Sequence, residues 1–167
     1  MTIESLLFSY RGRLNRAKYW LAALIYFLVI AIPALVLFGI LRWNGVTSTE
    51  DFAERLNESG TATISLIVLV GIFVIIWLAI FVSSILVAIR RLHDRDKSGW
   101  WIVFFYVFPP VLSSVADVFR ASSVALALIL SLGGVVISLW ALIELGFLRG
   151  TDGANRFGVD PVRASYY

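Results

Sequence analysis

The 167-residue chain has no cysteine, one histidine and few charges. Without cysteine it has no disulfide, no thiolate nucleophile and no cysteine-bound metal. A single histidine falls short of the sets of imidazole and carboxylate ligands on which metal-dependent hydrolysis relies. Charged residues make up 15% of the chain, where a soluble domain carries about 25%. The net charge of +3 does not point to nucleic acid, because the basic residues flank apolar runs and form no continuous basic face.

Hydrophobic residues make up 60% of the chain, against about 45–50% in a soluble domain. They are gathered into long blocks rather than spread at helix or strand periods. A run of about 18 or more apolar residues reads as a membrane-spanning helix, since roughly 20 residues are needed to cross the hydrocarbon. Four such runs fall at about 19–41, 62–89, 100–119 and 124–148. The second is long enough that it must tilt or protrude. Continuous apolarity favours helices over barrel strands, which alternate, and a helix satisfies its own backbone in lipid. The first run is too long for a signal core and lacks a small-x-small cleavage end, so it is expected to be retained. The expected architecture is all-α: one integral membrane domain over 1–167, a bundle of four transmembrane helices.

Lysine and arginine set the orientation. Arg11, Arg13, Arg16 and Lys18 precede the first span; Arg90, Arg91, Arg95 and Lys97 lie between the second and third; Arg149, Arg156 and Arg163 follow the fourth. Only Arg42, Arg55 and Arg120 fall on the other side. Both termini are therefore expected to be cytoplasmic. In the outer segment, Ser48 and Asp51 have capping-box spacing, Phe52 and Leu56 share a face, and Gly60 is a stop signal, which predicts a short extracytoplasmic helix at about 50–59. The fourth span carries a row of small residues, Ser123, Ala127, Ser131, Gly134, Ser138 and Ala141, suited to close packing within the bundle or to a homo-oligomer seam. Near the N-terminus, Ile3, Leu6, Leu7 and Tyr10 have helical spacing, which fits an amphipathic helix either at the interface or docked under the bundle.

Three polar motifs fall in the expected cytoplasmic layer: GRLNRAKYW at 12–20, RRLHDRDKSGWW at 90–101 and GTDGANRFGVDP at 150–161. Phe8, Gly12-Arg13, Arg16 and Tyr19-Trp20 in the first, Arg90-Arg91-Leu92-His93-Asp94 with Ser98-Gly99-Trp100-Trp101 in the second, and Gly153, Asn155-Arg156-Phe157-Gly158 and Asp160-Pro161 in the third resemble the bacterial inner-membrane family called domain of unknown function 805. The likeness covers nearly the whole chain. It implies this fold and a multi-pass place in the bacterial plasma (inner) membrane, and it brings no mechanism. Two departures are a missing proline ahead of the arginine pair and a more charged linker, Arg95-Asp96-Lys97.

The motif residues allow two accounts. In the structural one, Arg90 and Arg91 complement the dipole at the end of the second span. Tyr19, Trp20, Trp100 and Trp101 form an interfacial belt, Gly99, Gly153 and Gly158 make turns, and Asp94, Asp152 and Asp160 pair with arginines. In the functional one, Arg13, Arg16, Arg90, Arg91, His93, Asp94, Asn155, Arg156 and Asp160 form a cluster that receives an anion, and an anionic phospholipid headgroup fits the charge of the inner leaflet. His93 is expected to hydrogen-bond within the cluster, its ring held by Asp94 or another carboxylate.

No catalytic, cofactor or metal residue is assigned, and the chain is not expected to be an enzyme. Inside the spans, Glu144, expected to pair with Arg90 or Arg91, and Asp117 are the ionisable groups that bear on a transport path, and Pro109-Pro110 interrupts the third span. The expected role is a small scaffold or interaction protein whose cytoplasmic face receives lipid headgroups, with membrane lipids as partners and no nucleic acid. A channel or transporter subunit acting as an oligomer is the alternative.

Overall fold

The computed structural model describes residues 2–43, 45–57 and 60–162, with the side chains at 52, 55, 56, 61–63, 65 and 66 left aside. The Phe52–Leu56 face and Arg163 thus lie outside what is described. Every regular element among these residues is helical: α1 (Ile3–Leu7), α2 (Arg16–Trp43), α3 (Thr49–Asn57), α4 (Thr61–Asp94), α5 (Trp101–Phe119) and α6 (Val124–Leu142), the last running into a π-turn at Ile143–Phe147. An isolated bridge pairs Asn155 with Gly158, and no strand forms among the described residues. Four helices are long and apolar enough to cross a membrane, over Arg16–Trp43, Ile67–Asp94, Trp101–Phe119 and Val124–Phe147. The 34 residues of α4 extend about 51 Å, well beyond a hydrocarbon core of about 30 Å.

Burial is inverted relative to a soluble protein. Leu35, Phe38 and Ile75 are at least 62% exposed, whereas Arg91 is wholly buried and Arg13, Arg90, Asp94 and Glu144 nearly so. In water such an apolar surface would aggregate; in lipid it is solvated.

Packing divides the chain into two compact units. The first comprises Met1–Ala22 and Ser84–Tyr167. Its apolar core joins Ala88 and Leu92 of α4, Ile102 and Phe105 of α5, and Leu145 of the π-turn. Trp101, Phe104, Phe105 and Trp140 meet mostly edge to face around it. Leu6 and Leu7 of α1 are buried in this unit, so the N-terminal segment is docked, with Ile3 and Tyr10 exposed. Helix α5 continues through both Pro109 and Pro110. Of the small residues on α6, Ala127 and Gly134 are buried, and a Cβ at Gly134 would lie 3.3 Å from the Pro109 carbonyl oxygen. At that point the glycine is what lets α6 approach α5.

The second unit is Ala23–Ser83. Within it the Tyr26 hydroxyl and Ser83 hydroxyl share a 2.7 Å hydrogen bond, and Trp77 stacks on Phe81. Helix α3 starts with the capping box that its sequence spacing announces. The Asp51 N–H donates to Ser48 Oγ at 3.0 Å, while Asp51 Oδ2 accepts from the Ser48 N–H, the Thr47 N–H and the Thr47 hydroxyl at 2.8–2.9 Å. These bonds favour the carboxylate and lower the Asp51 pKa from 3.8 to about 2. A depressed carboxyl stabilises the fold fully above its unfolded pKa and loses that contribution as pH falls through the folded one, so the cap weakens between about pH 4 and pH 2. The Asp51 carboxyl carbon is accordingly expected to titrate by NMR with a midpoint near 2; a midpoint near 4 would show that the cap does not form.

Candidate functional site

The three polar motifs meet within the first unit, and the end of α4 is their centre. A helix leaves its last carbonyls without intrahelical partners, and in α4 the chain that follows α6 supplies them. The Asp94 carbonyl accepts from the Thr151 N–H at 2.8 Å, and the His93 carbonyl accepts from Asn155 Nδ2 at 2.9 Å and from the Asp96 N–H. The Leu92 carbonyl takes the N–H groups of Arg95 and Lys97. Asn155 also accepts from the Phe157 N–H and donates to the Thr151 hydroxyl, which folds residues 151–158 into a tight plug. Gly153 (φ +74°) and Gly158 (φ +138°) provide the backbone conformations the plug needs.

Arginines then cap the ends of neighbouring elements. Arg91 donates through Nε to the Leu145 carbonyl at 2.8 Å, through Nη2 to the Leu148 carbonyl and through Nη1 to Asp94 Oδ2 at 2.5 Å. Arg13 donates through Nε to Asp94 Oδ1 at 3.1 Å and through its Nη atoms to the carbonyls of Gly153 and Thr151 at 2.5 and 2.6 Å. Arg90 points the other way, and its Nη1 donates to the Ser5 and Leu6 carbonyls at the end of α1. The Leu14 N–H donates to the Arg90 carbonyl and ties the first motif to α4. Asp94 therefore sits buried between two buried guanidinium groups, Arg13 and Arg91.

The π-turn widens the end of α6 and frees its carbonyls for such caps. Besides Arg91 at Leu145, the indole N–H of Trp20 donates to the Gly146 carbonyl at 2.9 Å. A Cβ at Gly146 would come within 2.9 Å of the Trp20 ring.

Several expectations change. Arg90 and Arg91 cap α1 and the π-turn rather than serving as dipole partners of their own helix, because their side chains reach past the end of α4 to neighbouring carbonyls. Glu144 pairs with Arg95 and Lys97, both at 2.9 Å, not with Arg90 or Arg91, whose donors are directed elsewhere. The linker that departs from the family pattern thus holds both cations that meet this buried carboxylate. Asp152 has no ion pair among the described residues, and Asp160 accepts, among other interactions, from the backbone N–H groups of Gly153 and Val162. The His93 ring is not held by Asp94, which is occupied by the two arginines. It stacks on Phe157 at 3.9 Å, nearly parallel, and meets the Gly12 backbone of the first motif, while its Nδ1 has no hydrogen-bond partner among the described residues. Arg156 bonds Asp96 through both the side chain and the carbonyl at the periphery, so the nine residues do not form one ligand-facing cluster.

Gly150 carries no signal in its spacing, yet a Cβ there would clash with the Asp94 carboxylate. Thr151, Arg95 and Lys97 likewise carry no sequence signal beyond their place in a motif.

Beside Asp94 lies a cavity of about 310 Å³ lined by Arg13, Asn15, Arg16, Arg149, Gly150, Thr151, Asp152, Asp160 and Val162. Arg13 and Asp94 are consumed by the clamp. Arg16 and Arg149 are exposed, and among the described residues neither guanidinium has a bonding partner. Of the candidate cluster, Arg16 is therefore the member that keeps its donors free, and Arg149 joins it.

Four apolar helices long enough to cross a membrane, with buried arginine–carboxylate pairs at the end of α4, define a multi-pass integral membrane protein. Comparison with known proteins places it further. A family model described as a protein of unknown function (DUF805) matches residues 7–159, and the chain belongs to that family. Uncharacterized protein YiiR of Escherichia coli (strain K12) is 29% identical over 177 residues, covering 99% of this chain and 94% of that protein. Inner membrane protein YhaH of the same strain is 29% identical over 153 residues, 91% of this chain and 86% of that one. Inner membrane protein YhaI is 32% identical over 85 residues, half of this chain. No solved structure matches. The chain is a multi-pass inner-membrane protein.

Removing one member of a buried charge cluster leaves the others uncompensated and costs about 3–5 kcal/mol. Asp94→Asn should lower the unfolding midpoint in detergent and open residues 150–162 to protease, and Gly150→Ala should act in the same direction by displacing the carboxylate. Arg149→Gln, on an exposed side chain with no partner among the described residues, should stay within about 0.5 kcal/mol of the parent. A parental midpoint for Asp94→Asn contradicts the clamp.

Proposed function

We propose that the protein is a small, non-enzymatic membrane scaffold whose arginine-rich end lies on the cytoplasmic side and receives lipid headgroups. One observation carries this reading: the clamp engages Arg13, Arg90 and Arg91 with internal acceptors and leaves Arg16 and Arg149 without a partner among the described residues, at the rim of a polar cavity at the span ends. Guanidinium groups with free donors at headgroup depth suit phosphate oxygens, which arginine binds in a bidentate fashion.

The orientation rests on the excess of arginine and lysine at that end. The non-enzymatic reading is supported by His93, whose ring is covered by Phe157. The alternative, a channel or transporter, draws less support. Helix α5 is continuous through its prolines, Glu144 is neutralised by two cations, and Asp117 pairs with Arg120 at an exposed helix end.

Because the chain has no cysteine, single introduced cysteines report orientation cleanly. Ala154→Cys should react with a membrane-impermeant maleimide in inverted inner-membrane vesicles and not in intact spheroplasts, and Glu50→Cys the reverse. The protein should also leave liposomes electrically silent and retain phospholipid through purification. Reversed labelling, or conductance that scales with reconstituted protein, overturns the proposal.

A further inference from the structure

We propose that the cavity beside Asp94 selects a zwitterionic lipid headgroup, a phosphodiester joined by a short link to a primary ammonium, over a purely anionic one. The inference rests on the headgroup-receptive reading above and gives it a ligand class. The cavity lining carries three arginines and three aspartates. Arg13 and Asp94 neutralise each other within the clamp, where Arg91 joins them. What remains facing the space is Arg16 and Arg149 on one hand and Asp152 on the other, Asp160 being already engaged by the Gly153 and Val162 N–H groups. Asp152 is exposed and, like the two arginines, has no partner among the described residues.

A site of this composition is poorly matched to an anion alone. A phosphodiester drawn to Arg16 and Arg149 brings negative charge toward Asp152, and like charges close together repel. A primary ammonium tethered to that phosphate removes the conflict, since it offers three N–H donors to carboxylate oxygens. A quaternary ammonium carries the same charge but no N–H, so it loses those bonds. A volume of about 310 Å³ lies at the small end of ligand-pocket sizes, in keeping with a headgroup rather than a larger solute.

The surroundings favour a membrane lipid over a free metabolite. Trp20 stands one helical turn after Arg16, and Phe147 two residues before Arg149. Their rings meet at 5.6 Å, and they are 43% and 57% exposed. An apolar shelf thus adjoins the charged rim, suited to the acyl chains of a lipid whose headgroup fills the cavity. Asn15 caps α2 through its Oδ1, which accepts from the Lys18 N–H, and so fixes the first turn from which Arg16 projects.

The test uses the full chain in nanodiscs of equimolar phosphatidylethanolamine, phosphatidylglycerol and phosphatidylcholine, with retained lipid read by native mass spectrometry. Phosphatidylethanolamine should be enriched about tenfold over each of the others, the size expected of one charge-assisted hydrogen bond. Asp152→Asn should erase its advantage over phosphatidylglycerol, and Arg149→Gln should reduce retention of both. Both side chains are exposed and without a partner among the described residues, so neither change is expected to disturb folding. Free phosphoethanolamine should compete only weakly; saturation at concentrations as low as those of the lipid overturns a membrane lipid as the occupant. Equal retention of the three lipids, a phosphatidylglycerol preference, or an unchanged preference in Asp152→Asn overturns the zwitterion assignment while leaving headgroup binding intact. Retention of no lipid at all overturns both.

Discussion

The first unit depends on a single buried carboxylate. Asp94 accepts Arg13 on one oxygen and Arg91 on the other, and each guanidinium then spends its remaining donors on main-chain carbonyls of another segment. A carboxylate alone at this depth would carry a large desolvation cost, and so would each arginine. Together they form a set in which charges are compensated and carbonyls of the π-turn, the residue after it and the irregular plug find donors. The geometry explains why Gly150 must lack a side chain: the chain passes Asp94 where a Cβ would stand.

The hydrophobic effect does little to hold membrane helices to one another, since lipid is as apolar as a leucine side chain. In this chain the apolar surfaces largely face outward, and the buried positions at the motif end are disproportionately charged. Specificity of assembly therefore rests on hydrogen bonds and ion pairs near the span ends, with close approach at Gly134 against Pro109 and at Gly146 against Trp20 contributing packing. The Glu144 pairs with Arg95 and Lys97 extend the same logic to the π-turn.

The spans were plain in the sequence because length and apolarity decide them, and the capping box at Ser48 and Asp51 was plain because capping is local. The family followed from three ordered motifs. The pairing of Asp94 with arginine is legible in the motifs, but the backbone partners are not. Arg91 reaches Leu145 and Leu148, and Arg13 reaches Thr151, in bonds to backbone carbonyls that leave no trace in side-chain identity. Glu144 could be paired from sequence with any nearby arginine, and only the path of the 95–97 linker decides among them. The π-turn was likewise invisible, since it is a change of hydrogen-bond register within an apolar run. The same bonds separate arginines that hold the fold from those that remain available: Arg13 and Arg91 belong to the first group, Arg16 and Arg149 to the second.

The central claim is that one carboxylate bridges two arginines from different motifs. Solid-state NMR on the full chain in lipid bilayers, measuring dipolar coupling between the Asp94 carboxyl carbon and guanidinium nitrogens, tests it most directly. The account predicts couplings at hydrogen-bond range to both Arg13 and Arg91. Coupling to only one of them, or to neither, would contradict it.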